Sequence, residues 1–216
     1  MDLLLIRHAE PVRIAPGEGG GGPVDPELTA RGRDEAERLA AWLAAEHIDA
    51  VISSPLERAR QTAEPVAREH GLDLEIGPDL IEYDANADHY IPAEELKAER
   101  DGRWRAMLEG RWEDFGGEAP DQFRARIVPC LDAIVGRFPG GRVAVVCHGG
   151  VINVYVGVLL GLERLLWFEP GYTSVTRVAA ARSGPRSLVT LNETAHLLGV
   201  RDPAAEPPPE PPAPTG

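Results

Sequence analysis

Three short runs of mostly branched apolar residues, at 3–6, 50–52 and 143–146, constrain this chain more than any other feature. Each is too short for a helix and too evenly apolar for a half-exposed strand, so each reads as a strand buried on both faces of a parallel sheet. Stretches with helical spacing separate them. The first starts near Thr29, a natural N-cap, and puts Ala36, Leu39, Ala40 and Leu43 on one face, with Arg33, Asp34, Glu37 and Arg38 on the other. The second has Ser54 placed as N-cap, Pro55 at the first helical position and Glu57 three residues after the cap. That pattern predicts a helix to about residue 70, stopped by Gly71, with a kink or early end at Pro65. Two more helices are expected at roughly 93–109 and 121–137, and the runs at 174–179 and 187–191 read as late strands. This alternation, with no internal repeat, predicts an α/β fold: a three-layer α/β/α sandwich around a mostly parallel central sheet.

A chain of 216 residues suffices for one such domain, placed at 1–201. From Asp202 on, prolines, alanines and acids predominate, and no aliphatic side chain larger than alanine appears. Residues 202–216 are therefore expected to be a disordered proline-rich tail. The longest apolar run is broken by Gly157 and is too short to cross a bilayer, and the first residues lack the basic start and apolar stretch of a secretory signal. The cytoplasm is the expected compartment, with Cys130 and Cys147 as reduced thiols. A net charge of −13 argues against nucleic acid or an anionic membrane as partner, so any anion must be held locally.

In open α/β sheets ligands sit outside the carboxyl ends of the strands. Here the first strand runs into Arg7 and His8, the second leads through Ser53 and Ser54 to a helix whose first turn holds Arg58, and the third runs through Cys147 into His148, Gly149 and Gly150. Two guanidinium groups, two imidazoles and a helix start at one sheet edge suit a phosphoryl group. The glycine-rich stretch at 15–25 lacks the Gly-Lys-Ser/Thr of a phosphate loop and reads as a mobile surface loop near Arg7 and His8.

Four motifs in order carry a resemblance: Leu5-Ile6-Arg7-His8-Ala9-Glu10, Leu28-Thr29-Ala30-Arg31-Gly32, the stretch from Ser53 to Ala63 around Arg58, and Cys147-His148-Gly149-Gly150. Together they resemble the histidine phosphatase superfamily, with its phosphoglycerate mutase-like fold, over roughly residues 1 to 200. The resemblance implies that His8 is the nucleophile and is phosphorylated in the reaction. It also implies that Arg7, Arg58, His148 and Gly149 bind the phosphate, and that neither metal nor cofactor is required. The proton donor it implies is Glu82, with Asp84 and Glu10 as alternatives. The cap over the site is expected at about 84–115, where Trp104, Met107, Leu108 and Trp112 form a helical stripe of the kind that is usually core.

Ala9 replaces the family's usual glycine. Where mutases of the family carry polar side chains after the nucleophile, this chain has Pro11-Val12-Arg13-Ile14. Hydrolysis of small-molecule phosphate esters is therefore expected. A cofactor-dependent mutase and a non-catalytic phosphate-binding module are the alternatives. A zinc deaminase would need a cysteine where Ala133 stands, and a cysteine phosphatase would need arginine six residues after Cys130 or Cys147, where Gly136 and Asn153 stand.

Overall fold

A computed structural model describes residues 1–181 and 183–198; the tail expected at 202–216 lies outside them. Six strands form one sheet: β1 (Asp2–Arg7), β2 (Ala50–Ser53), β3 (Leu74–Ile76), β4 (Arg142–Cys147), β5 (Val175–Ala180) and β6 (Arg186–Glu193), in the order β3-β2-β4-β1-β5-β6. The first four in that order are parallel; β5 pairs antiparallel with β1, and β6 antiparallel with β5. The side-chain period of two explains why the apolar runs are unbroken. Along β1, Leu3 and Leu5 enter one core, while Leu4 and Ile6 enter the other.

Helices α1 (Ala30–Leu43) and α2 (Glu57–Glu69) cover the second of these faces, through Leu39, Leu43, Ala63 and Val66. Helices α5 (Pro120–Arg137) and α6 (Gly149–Leu159) cover the first, through Ile127, Leu131, Val151 and Tyr155. Thr29 caps α1 as its sequence suggested, accepting a hydrogen bond from the Gly32 N–H at 2.9 Å. Proline inside α2 and α5 does not end either helix. In α2, Pro65 is itself buried, and the apolar packing of that face outweighs the one backbone bond it forgoes.

Two expectations need correction, and one strand has no counterpart among them. Ser54 does not cap α2: the cap position is Leu56, and Ser54 Oγ, which accepts a 3.3 Å bond from the Leu56 N–H, lies 2.8 Å from His148 Nε2. The helix start is completed from elsewhere, by Asp25, whose two carboxylate oxygens each lie 2.9 Å from the Glu57 N–H. The single helix expected at 93–109 is two, α3 (Ala93–Ala98) and α4 (Gly102–Leu108), separated where Arg100 takes φ 55° and Asp101 caps α4. Strand β3 has no counterpart in the sequence reading, because three residues with an acid in the middle give no apolar run.

The glycine-rich loop is tied down at both ends. Ile14 pairs with Tyr90, and the Val24 N–H donates to the Ala87 carbonyl at 3.0 Å. Among the described residues no helix is long and apolar enough to cross a membrane.

Candidate active site

The register of the central strands brings the histidines together. Arg7 pairs with Cys147 across β1 and β4, and the His8 N–H continues the ladder to the Cys147 carbonyl at 2.9 Å. His8 and His148, each one residue beyond that rung, have ring centroids 5.2 Å apart. His8 is buried, and its Nδ1 lies 2.8 Å from the Ala9 carbonyl oxygen. A carbonyl only accepts, so Nδ1 carries the proton and Nε2 keeps its lone pair. Burial first, then the Arg58 and Arg7 guanidinium groups, hold the ring's pKa well below the ordinary histidine value, which keeps the imidazole neutral.

His148 is fully buried and shielded by burial and the same arginines from protonation. It stands behind His8 and outside the cavity wall, and its Nδ1 has no protein partner. With Ser54 Oγ–H donating to Nε2, the ring proton sits on Nδ1, an N–H that then has no acceptor within the protein.

The cations are fixed on several sides. Arg7 donates from Nη1 to the Pro170 carbonyl at 2.6 Å, lies over the Tyr172 ring at 4.1 Å and faces Glu94 at 3.8 Å. Arg58, only 2% exposed in the first turn of α2, lies 3.6 Å from Asp25 and 3.9 Å from Asp84. Both guanidinium groups and His8 line a cavity of about 370 Å³, together with Glu82, Asp84, Gly149 and Gly150.

Glu82 is held over the start of α6. Its Oε2 accepts from the Gly150 N–H at 2.7 Å, and its Oε1 from the Tyr83 N–H at 3.1 Å. Only glycine permits this, since a Cβ at position 150 would collide with the carboxylate and stand 2.8 Å from Tyr83 Cδ1. Burial, then the Asp84 carboxylate, push the Glu82 pKa up to about 7 against these two hydrogen bonds and Arg58. The pair of N–H bonds leaves one lone pair on each oxygen free to hold that proton. Asp84 is likewise raised by burial. Glu10 is engaged away from the cavity, by Thr29 Oγ1 at 2.9 Å and Arg31 at 3.5 Å.

The structure thus gathers Arg7, His8, Arg58, Glu82 and Gly149 on one cavity, with His148 directly behind. Sequence reasoning missed Asp25, Tyr172 and Asn153, each a single polar residue in an unremarkable setting. The stripe at 104–112 divides: Trp112 is core, stacked on Tyr83 at 4.2 Å, whereas Trp104, Met107 and Leu108 reach the cavity. Ala9 has no unusual backbone angle, so the missing glycine costs nothing. Among the described residues no group of three His, Cys, Asp or Glu side chains is placed to hold a metal ion.

Comparison with known proteins shows the family and the fold. The phosphoserine phosphatase 1 of Hydrogenobacter thermophilus is 29% identical over 198 residues, 90% of this chain and 93% of that one. A protein named as a probable phosphoglycerate mutase of Salmonella paratyphi A is 29% identical over 172 residues, 78% of each chain. Among solved structures, a mycobacterial glucosyl-3-phosphoglycerate phosphatase superposes with a TM-score of 0.71 at 25% identity, covering 90% of this chain and 99% of its own. The family model of the histidine phosphatase superfamily, branch 1, matches residues 3–194, and with that match this chain belongs to the superfamily and is a hydrolase of the phosphatase kind.

Proposed function

We propose that the protein hydrolyses small-molecule phosphomonoesters through a phosphohistidine on His8. The observation that carries this reading is the state of His8: a neutral ring whose Nδ1 proton is tied to the Ala9 carbonyl, leaving the Nε2 lone pair free on a cavity that both guanidinium groups line. Nε2 attacks phosphorus, an N–P bond forms, and the P–O bond to the organic group breaks. Glu82 gives the departing oxygen its proton. Water then attacks the phosphohistidine, its proton passes to the Glu82 carboxylate, and the N–P bond breaks to return His8 neutral. Arg7 and Arg58, both on the cavity wall, bind the oxygens on which charge gathers in both steps, while His148 packs against the ring of the nucleophile from outside the cavity. A group with a pKa near 7 suits both the acid and the base turn.

A mutase reading is raised by the Salmonella relative. The segment after the nucleophile speaks for hydrolysis, because Arg13 is bonded to Glu95 at 2.9 Å and Ile14 to Tyr90, leaving no polar side chain there to turn a sugar-acid phosphate.

The test is p-nitrophenyl phosphate turnover. Release of phosphate is expected, undiminished by a chelator, with His8→Ala lowering kcat on the order of 1,000-fold or more. Phosphate release by His8→Ala at the parental rate would falsify the mechanism. Isomerised product without free phosphate from 3-phosphoglycerate would favour the mutase.

A further inference from the structure

The cavity extends beyond its phosphate-binding end, and two facing stretches of the extension are apolar. Trp104, Met107 and Leu108 of α4 line it, as do Leu166, Trp167 and Phe168 from the connection between α6 and β5. Trp104, Trp167 and Phe168 are only half-buried, so part of each ring borders open space and not the core. At about 370 Å³ the space falls in the range of pockets that enclose whole organic ligands.

One buried residue makes half of this wall rigid. Asn153 Nδ2 donates to the Gly149 carbonyl at 2.9 Å and the Phe168 carbonyl at 3.1 Å, and its Oδ1 accepts from the Trp167 N–H at 2.9 Å and the Phe168 N–H at 3.1 Å. Every hydrogen-bonding capacity of that amide is used. The Trp167 indole N–H is also committed, donating to the Asn153 backbone carbonyl at 3.0 Å, so the ring brings carbon and not a donor to the cavity. Through Gly149 the same side chain ties the aromatic wall to the phosphate end.

The charges point the same way. Glu94 faces Arg7 at 3.8 Å, Glu169 is bonded to Lys97 at 2.6 Å, and Asp84 adds to the acidic lining. A carboxylate next to the substrate phosphate meets these acids, and the remaining cation on the wall, Arg164, is exposed, where water competes for it.

The geometry points to a substrate class: phosphomonoesters whose organic group is apolar and ring-sized, held between α4 and the Leu166–Phe168 wall, in preference to short phosphates bearing a carboxylate. This rests on the hydrolytic reading above. Initial rates with 3-phenylpropyl phosphate, propyl phosphate and 3-phosphoglycerate test it, since the first two release alcohols of nearly equal basicity. The phenyl group is expected to raise kcat/KM on the order of 30- to 100-fold over propyl. Trp104→Ala, and independently Leu108→Ala, should narrow that ratio about tenfold. Equal rates for the first two esters, or preference for 3-phosphoglycerate, overturn the inference and leave hydrolysis standing. A ratio unmoved in both variants overturns the placement of the organic group. No phosphate from any of these esters or from p-nitrophenyl phosphate overturns the hydrolytic reading and this inference together.

Discussion

Glu82 shows how one side chain couples chemistry to stability. Its carboxyl binds a proton more tightly in the folded chain, with a pKa of about 7, than in the unfolded one, where it is near 4.5. A carboxyl raised in this way contributes its stabilisation fully below pH 4.5 and loses it as pH climbs toward 7, a loss on the order of 3 kcal/mol. Glu82→Gln removes that titration. Gln offers a single acceptor oxygen to the two N–H donors at Gly150 and Tyr83, so its absolute stability also shifts. The informative quantity is the slope: denaturant midpoints from pH 4.5 to 7.5 should fall more steeply for the parent than for the variant. Parallel slopes would remove the physical basis for Glu82 as the proton carrier. At this scale His8, Arg7, Arg58 and His148 were legible because each stands at a strand end or in the helix turn that follows one, positions that can be read from apolar runs. Tyr172 was not, since it meets Arg7 from a connection far along the chain, next to Thr173 at φ 52°, with no local pattern to mark it.

Helix α2 marks where element-level reading works and where it stops. The sequence around Ser54, Pro55 and Glu57 matches a capping box, yet the fold gives the Ser54 hydroxyl to His148 and brings Asp25 across from the far end of the glycine-rich loop to cap Glu57. A local motif cannot foresee that a buried imidazole 94 residues away competes for its hydroxyl. The division of 93–109 into α3 and α4 was similarly hidden, because the apolar spacing carries on through Arg100 while its backbone does not. Since Arg58 lies one residue past the capped Glu57, the Asp25 carboxylate holds both the helix start and the guanidinium proposed to bind phosphate. Asp25→Ala is expected to cost about 1 kcal/mol, lowering Tm by about 2–4 °C, and to raise KM for p-nitrophenyl phosphate several-fold. An unchanged KM with lowered Tm would show that the cap serves the helix alone.

For the whole molecule, the order of layers followed from the alternation of apolar runs and helical stretches, but the strand order did not. Which strands become neighbours depends on crossover connections, and the antiparallel return of β5 beside β1 leaves no local trace. That topology puts β4 and β1 in the middle of the sheet, flanked on both sides, and makes the rung between residues 7 and 147 the foundation on which both imidazoles rest. In native-state deuterium exchange, peptides covering residues 3–8 and 143–148 should therefore be the slowest of the chain and share one rate, that of global unfolding. Early exchange there would mean that the two rings can drift apart in the folded protein. Slow exchange means that substrate admission must come from motion of the surrounding walls, over a base that stays still through every turnover.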